Sequence, residues 1–170
     1  VGAPIVIPES RIPIKIAKLI KLHKVHVLPT SPTFLNLLLM QNDLNKEDLL
    51  SLKLITYGTE RMPQSLLEKI NTFLPNVKLL QTFGTSETGI VKTQSKSSNS
   101  LFFKIVDKDV EHRIVEGELY LKTKTSVKEY KGIKSNKFKK DGWFATGDLV
   151  TIDEDGYMKV VGRVNEVINV

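Results

Sequence analysis

Residues 77–89 read VKLLQTFGTSETG, an apolar run that ends in an aromatic ring, glycines, hydroxyl groups and one carboxylate. The apolar half has the composition of a buried strand. In open parallel sheets, ligands tend to bind beyond the carboxyl ends of the strands, where the loops are free of sheet hydrogen bonding. The polar half of this stretch is therefore a candidate ligand loop.

The side chains of this loop suit a nucleotide phosphate. Phe83 offers a flat face for a base, Gly84 lets that base approach the backbone, and Glu87 is a carboxylate that can ligate Mg²⁺. Hydroxyl groups able to donate to phosphate oxygens are those of Thr85, Ser86 and Thr88. The alternative is a polar turn whose hydroxyl groups satisfy neighbouring backbone groups.

Upstream of this loop, strand-like runs alternate with helical patterns. The runs are VHVLP, LKLITYG and VKLLQTF. Ser10 and Ser31 are expected to cap the first two helices, and Pro63 to start the third. The buried face of the first helix is expected to carry Ile12, Ile16, Leu19 and Ile20. This alternation predicts a parallel βαβ-type sheet within residues 1–90, since parallel neighbours need long crossovers.

Downstream of residue 90 the pattern becomes β-rich. Residues 92–100, KTQSKSSNS, are interpreted as a polar connector. The strand-like runs that follow are LFFKIVD, HRIVEGELYLK, DLVTID and YMKVVG, with Asp155 and Gly156 in a hairpin turn between the last two. The predicted fold class is α/β: a parallel βαβ-type half over residues 1–90, then a smaller β-rich, distorted barrel-like half over 91–170.

The composition is that of an ordinary globular protein. Of 170 residues, 41% are hydrophobic and 26% are charged, and the formal net charge is +6. No apolar run approaches the roughly 20 residues of a transmembrane helix, and no signal-peptide pattern is visible, so we expect a cytoplasmic protein. The absence of cysteine excludes disulfides and thiolate zinc sites. The positive charge favours an anionic partner without selecting one.

Two further stretches add polar groups. LKLITYGTERMP places Gly58, Thr59 and Glu60 at the exit of the preceding strand, which should end at the same edge of the sheet. DGWFATGDLVTIDEDGYMKVVGR contains Asp148, whose two carboxylate oxygens match a ribose diol, and Arg163, whose guanidinium suits phosphate or ribose.

Together these stretches resemble a known family. TFGTSETG, GELYL and DGWFATGDLVTIDEDGYMKVVGRVNEVINV are similar, in order, to motifs of the adenylate-forming (AMP-binding) enzymes: acyl-CoA synthetases, firefly luciferase and peptide-synthetase adenylation domains. HVLPTSPTFLNLLL and LKLITYGTERMP resemble weaker segments of the same family. The resemblance covers nearly the whole chain.

The resemblance implies a role for each matched residue. Adenine is bordered by Gly58, Thr59 and Glu60, and Phe83 stands where a ring-stacking tyrosine is common. Ser86 replaces the threonine that contacts phosphate, and Glu87 matches the magnesium ligand. Asp148 matches the ribose-binding aspartate, Arg163 the arginine near the nucleotide, and Asn165 the hinge. The residues expected to act in catalysis are Ser86, Glu87 and Arg163; those expected to bind the nucleotide are Gly58, Thr59, Glu60, Phe83, Gly84, Thr85, Ser86, Asp148 and Arg163.

The implied function is acid–thiol ligation by a longer parent enzyme. A carboxylic acid and ATP, with Mg²⁺, would give an acyl-adenylate, which passes its acyl group to coenzyme A or to the phosphopantetheine of an acyl carrier protein. The chain lacks an initiating methionine and ends within an apolar run, so we expect an internal piece of the large domain that ends at the hinge to a lid. The family's phosphate loop and catalytic lysine would then lie outside it. We expect the isolated piece to be inactive, with weak affinity for nucleotides and a preference for AMP over ATP.

One segment supports a different class of function. Residues 127–142, VKEYKGIKSNKFKKDG, which we call the lysine-rich segment, contain six lysines and two acids. This is typical of a solvated loop, or of a surface that attracts coenzyme A phosphates or an acidic carrier protein. The alternative to a ligase is therefore a basic module that binds nucleic acid or an acidic protein. The lysine-rich segment has no exposed aromatic side chains between its lysines on which bases could stack, and it has no known nucleic-acid motif. We therefore expect no nucleic-acid partner. A catalytically degenerate adenylation domain remains a third possibility.

Overall fold

The computed structural model describes residues 2–132 and 135–166, which group into two units. The first unit takes in the described residues up to Leu80 together with Ser97–Ser100. The second takes in Gln81–Lys96 together with the described residues from Leu101 onward. Each unit buries a set of apolar side chains around its own sheet.

The first unit is built on a three-stranded sheet. In spatial as in chain order, its strands are β1 (Val27–Thr30), β2 (Leu54–Tyr57) and β3 (Lys78–Gln81). β1 and β2 pair in parallel. Parallel neighbours need a crossover of a dozen residues or more, usually a helix, and the chain between the strands supplies it. The predicted parallel βαβ arrangement is confirmed.

Three α-helices belong to the same unit: α1 (Pro13–His23), α2 (Pro32–Leu39) and α3 (Gln64–Phe73). Ser31 caps α2, because its hydroxyl accepts a hydrogen bond from the backbone N–H of Phe34. Pro63 immediately precedes α3, so both predicted starts are confirmed. Side chains buried by the helices are those of Ala17, Ile20, Pro32, Leu35, Leu38, Leu66, Leu67 and Ile70. No helix in the described part of the chain is long and apolar enough to span a bilayer.

The predicted start of α1 at Ser10 is wrong. The N-cap residue is Ile12, which has an extended backbone and receives no side-chain cap. A residue that precedes proline is driven away from helical backbone angles, so Pro13 prevents the helix from beginning earlier. The Ser10 hydroxyl accepts a hydrogen bond from the Ile12 N–H instead. Ile12 is 48% exposed and lies outside the buried face on which it was expected.

The second unit contains eight short strands among its described residues. They are β4 (Phe83–Thr85), β5 (Gly89–Val91), β6 (Thr93–Ser95), β7 (Phe103–Ile105), β8 (Val110–Val115), β9 (Glu118–Thr123), β10 (Phe144–Ile152) and β11 (Met158–Arg163). β4 and β5 form a separate antiparallel hairpin. The other six form one sheet in the order β6-β7-β11-β10-β9-β8, which curls into a half-barrel. The predicted β-rich half is confirmed.

One core holds this second sheet together. Its buried side chains are those of Val91, Phe103, Ile105, Leu119, Leu121, Val150 and Met158. The turn between β10 and β11 contains Gly156 with φ of +75°, a left-handed conformation that glycine adopts without steric cost. The hairpin predicted at Asp155 and Gly156 is therefore confirmed.

Part of the predicted polar connector is a strand. Thr93 and Ser95 lie in β6 and pair with Ile105 and Phe103 of β7. Their hydroxyl groups also bind the backbone of Gln81: Thr93 donates to its carbonyl, and Ser95 accepts from its N–H at 2.9 Å. Backbone pairing and these two bonds stabilise an extended conformation that the polar composition did not suggest.

Candidate functional site

Residues 83–91 form a β-hairpin. The chain turns back after β4 through residues 86–88 and continues as β5. The hydroxyl of Thr85 accepts hydrogen bonds from the N–H groups of Glu87 and Thr88, both at 3.2 Å. Thr85 therefore satisfies the backbone of the turn, as the alternative interpretation of its hydroxyl predicted, while Ser86 is exposed at the tip.

Gly84 has a packing role in this hairpin. A Cβ added at Gly84 would lie 2.4 Å from the carbonyl oxygen of Gly89 and 2.7 Å from the Cα of Ile90, both backbone atoms of the partner strand. Contacts this short would force the two strands apart, because the atoms that a Cβ would meet belong to the backbone and not to a flexible side chain. The hairpin that carries Glu87 therefore requires glycine here.

We predict that Gly84→Ala lowers the free energy of unfolding by about 1–3 kcal/mol, the usual cost of overpacking. Gly162→Ala is the matched control, because a Cβ at Gly162 would meet nothing within 4 Å. Chemical denaturation of the two variants and the parent measures the difference. Equal stability of the two variants would show that the hairpin does not need glycine at position 84.

Glu87 at the tip is held by the lysine-rich segment. The hydroxyl of Tyr130 donates a hydrogen bond to carboxylate oxygen Oε1 of Glu87, and the N–H of Val127 donates to the Glu87 carbonyl at 2.8 Å. Burial acts to raise the pKa of Glu87, but hydrogen bonds from Tyr130 and Thr85 outweigh it, so this pKa lies below the usual range for glutamate. The same bond raises the pKa of Tyr130. Glu87 is thus an ionised carboxylate with a fixed partner.

Tyr130 is itself anchored by aromatic packing. Its ring meets Phe138 edge-on, with centroids 5.0 Å apart, and Phe138 packs on Phe144 at 5.1 Å. Phe138 and Phe144 also form a β-bridge. Because Phe144 is the first residue of β10, these contacts connect Glu87 to the strand that carries Asp148. The sequence analysis predicted no role for Tyr130. The one feature that could have indicated a role is an aromatic residue among lysines.

Asp148 and Arg163 form an ion pair across β10 and β11. They lie opposite each other in the register, and Nε of Arg163 donates to Oδ1 of Asp148 at 3.0 Å. Asp148 is only 6% exposed, whereas the Arg163 side chain is 56% exposed. A buried carboxylate needs a charged or hydrogen-bonding partner, and Arg163 is one. The structure thus brings together two residues that the sequence analysis assigned to one nucleotide.

The local backbone around Asp148 departs from a regular strand. Gly147 has φ of +81°, and its N–H donates to Oε1 of Glu118 at 2.9 Å. The hydroxyl of Thr146 donates to the Leu119 carbonyl and accepts from the Asp148 N–H. These bonds fix the Asp148 backbone within β10.

Phe83 and Asn165 also belong to the second unit. Phe83 stacks on Phe103 of the core, with ring centroids 5.6 Å apart. Asn165 is exposed in the short 3-10 helix Val164–Glu166 that follows β11. One side of the Phe83 ring is therefore taken by core packing, and its expected role beside a base stays a prediction.

Gly58, Thr59 and Glu60 lie in the first unit, at the exit of β2. Thr59 has φ of +70°, a strained value for a β-branched residue. Glu60 caps α2: its carboxylate accepts bonds from the Thr33 N–H at 3.1 Å and from the Thr33 hydroxyl at 2.6 Å. These bonds lower the pKa of Glu60, more than burial raises it. The carboxylate of Glu60 is therefore committed to the helix start, a role that the sequence did not suggest.

A metal site made only of protein side chains is not found among the described residues. No group of three or more histidine, cysteine, aspartate or glutamate side chains is arranged to hold an ion there. Magnesium is often bound by one or two carboxylates together with substrate phosphates. The ionised carboxylate of Glu87 fits that mode of binding.

Comparison with known proteins identifies the family. A family model described as AMP-binding enzyme matches residues 1–131. The chain belongs to the AMP-binding enzyme family. This confirms the resemblance of the sequence motifs, and membership implies binding of AMP or ATP. Assignment of individual nucleotide contacts remains a prediction.

Curated relatives of this AMP-binding enzyme chain include several CoA ligases. It is 29% identical over 172 residues to 4-coumarate–CoA ligase 1 of Glycine max, covering 88% of this chain and 59% of the relative. It is 32% identical over 148 residues to 4-coumarate–CoA ligase-like 2 of Arabidopsis thaliana, covering 75% and 26%. It is 32% identical over 142 residues to peroxisomal OPC-8:0-CoA ligase 1 of the same plant, covering 72% and 26%. The chain thus spans only part of these relatives.

Solved structures show the same fold. The anthranilate CoA ligase AuaEII in complex with anthranoyl-AMP superposes with a TM-score of 0.77 at 21% identity, covering 97% of this chain and 35% of that one. The luciferase-like enzyme from the mealworm Zophobas morio gives 0.74 at 24% identity, covering 94% and 42%. These matches confirm the predicted fold class for the AMP-binding enzyme chain.

Proposed function

We propose that this chain is the nucleotide-binding part of a longer ligase that activates a carboxylic acid as its acyl-adenylate and transfers the acyl group to coenzyme A. One observation carries the proposal. Within the second unit, the ionised Glu87 is connected through Tyr130 and its aromatic neighbours to the strand bearing the Asp148–Arg163 pair. Membership in the AMP-binding enzyme family and the partial coverage of longer CoA ligases support it.

In this proposal each group of the second unit has one task. Asp148 accepts hydrogen bonds from the ribose diol, and Arg163 both balances Asp148 and faces the nucleotide with its exposed part. Ser86 at the exposed tip donates to a phosphate oxygen. Glu87 would hold Mg²⁺, which neutralises phosphate charge when bound. The side chains position the substrates and stabilise the charge on the phosphates, and they form no covalent bond to the substrates.

The reaction consists of two displacements. A carboxylate oxygen of the acid attacks the α-phosphorus of ATP, a new P–O bond forms, and pyrophosphate leaves with the electrons of the broken bond. The thiolate of the acceptor then attacks the acyl carbon of the adenylate, a thioester forms, and AMP leaves. Holding the acid and ATP in line removes most of the entropic barrier of the first step.

The names of the relatives suggest the substrate class. They refer to 4-coumarate and to OPC-8:0 as CoA-ligase substrates, so we propose an aromatic or aliphatic carboxylic acid, with coenzyme A rather than a carrier protein as acceptor. We propose the cytoplasm as the compartment, and imaging of the tagged protein tests it against the peroxisome named for one relative.

The alternative of a basic binding module is not favoured. In the lysine-rich segment, Tyr130 is hydrogen-bonded to Glu87, and Phe138 packs between two rings. Neither aromatic group is therefore a free platform for bases. Saturable calorimetric binding of AMP and Mg·ATP to the protein supports the ligase. RNA or DNA binding that weakens steeply with salt, without nucleotide binding, would support the module instead.

A further inference from the structure

One lysine of the lysine-rich segment differs from the others that the structure describes. Lys137 is partly buried, whereas the other described lysines of the segment are exposed: Lys128, Lys131, Lys139 and Lys140. Partial burial of a lysine usually means that its apolar stem packs on neighbouring groups. The position of its ammonium group therefore decides what Lys137 can bind.

The backbone of Lys137 is fixed against β10. Its carbonyl accepts a hydrogen bond from the Ala145 N–H at 2.9 Å, and the next residue, Phe138, bridges Phe144. The N–H of Lys137 donates to the hydroxyl of Ser135 at 3.3 Å. These contacts hold Lys137 beside the strand that carries Asp148.

The ammonium group of Lys137 lies next to Gly147, the residue that precedes Asp148. Its Nζ is 3.6 Å from the point that a Cβ on Gly147 would occupy. The residue after Lys137, Phe138, packs on Tyr130, whose hydroxyl donates to Glu87. Among the described residues, no carboxylate is within ion-pair distance of Lys137.

We infer that Lys137 binds the α-phosphate of the nucleotide, the phosphate that AMP and ATP share. This inference rests on the proposed function, because it takes the ribose to lie at Asp148 and the phosphate chain to extend towards Glu87. The α-phosphate is covalently joined to the ribose, so it must lie close to Asp148. Arg163 is already paired with Asp148, so a second cation next to Gly147 is available to attract the negative charge of this phosphate.

The chemistry of lysine fits this task. An ammonium is a compact point charge on a flexible stem, and it binds phosphate without requiring a second donor in a fixed plane. The backbone at residues 137 and 138 is held against β10, and this positions the stem of Lys137. Lys137 is therefore a binding residue contributed by a segment that has the composition of a surface loop.

The test compares AMP with adenosine by calorimetric titration of the full chain, without metal. Lys137→Met is expected to weaken AMP binding by about 10- to 100-fold, the worth of a hydrogen bond to a charged group, and to leave adenosine binding unchanged. Lys140→Met is the matched control, since it removes the same charge from an exposed site in the same segment. Lys137→Arg should restore part of the AMP affinity.

The titrations distinguish failure of the proposed function from failure of the inference about Lys137. If the unaltered protein binds neither AMP nor adenosine, the proposed function fails, and the inference with it. If it binds both, but Lys137→Met weakens them equally or weakens neither, Lys137 does not contact phosphate and the inference alone fails. If Lys140→Met lowers AMP affinity as much as Lys137→Met, the effect is general charge attraction, which also overturns the inference.

Discussion

Asp148→Ala is expected to weaken ATP use by the ligase by about 2–3 kcal/mol, roughly 30- to 150-fold in kcat/KM. The variant removes the acceptor of two charge-assisted hydrogen bonds while the ribose diol stays desolvated. Arg163 would lose its partner, but its side chain is 56% exposed, so water can solvate the freed charge. The loss should therefore appear in nucleotide binding.

Pyrophosphate release at subsaturating ATP measures this effect. Asp141→Ala is a suitable control, because Asp141 is also a paired aspartate of the second unit but has a side chain 58% exposed. We expect Asp141→Ala to behave like the parent. Parent-like pyrophosphate release by Asp148→Ala would show that Asp148 does not bind the ribose.

Glu87→Gln is expected to lower kcat for adenylate formation by about 100-fold, a typical loss when one electrostatic group is removed from a reacting phosphate or carbonyl. Glutamine preserves the size of the side chain and an oxygen that can accept the Tyr130 hydrogen bond. It removes the negative charge that the surrounding hydrogen bonds stabilise. The step that depends on magnesium should therefore suffer more than nucleotide binding.

A magnesium titration of single-turnover rates separates these effects. Tyr130→Phe keeps the carboxylate but removes its hydrogen-bond partner, so we expect a smaller loss that partly recovers at high magnesium. Glu129→Gln changes an exposed glutamate in the same segment and should have no effect. If Glu87→Gln gave the same rate and the same magnesium dependence as the parent, the assignment of Glu87 would be wrong.

The fold of the first unit was predictable because its signals are local and periodic. Apolar runs alternating with helical patterns gave the three strands, and Ser31 marked the start of α2. Ser10 failed as a start signal because the proline three residues later requires Ile12 to be extended. The start of α1 is thus set by the proline, whose effect on the preceding residue outweighs the capping preference of serine.

The second unit was harder to predict because its strands depend on long-range pairing. Thr93–Ser95 has a polar sequence and becomes a strand through its register with β7. Gly84 was assigned a contact with a base, but the structure also gives it a close contact with the partner strand. A strand of three residues is too short to show an alternating pattern of apolar side chains, so its pairing could not be predicted from the sequence.

The motifs implied that Asp148 and Arg163 lie close together. Asp148 and Arg163 come from one motif region, and they meet as an ion pair. Tyr130 and Lys137 escaped attention because lysines and isolated aromatic rings are common in surface loops. The hydrogen bond from Tyr130 to Glu87 and the position of Lys137 next to Gly147 both depend on how this segment folds.

Acyl-adenylate formation in the absence of thiol is the most direct test of the central claim. The ligase would be incubated with α-labelled ATP, Mg²⁺ and a panel of aromatic and aliphatic acids that includes 4-coumarate, and the labelled products would be identified by mass spectrometry. We predict an acid-dependent acyl-AMP ester and an equal amount of pyrophosphate, followed by conversion to thioester and AMP when coenzyme A is added. Cleavage of ATP to ADP and phosphate, or no acid-dependent AMP ester with any acid from a protein that binds ATP, would contradict the account.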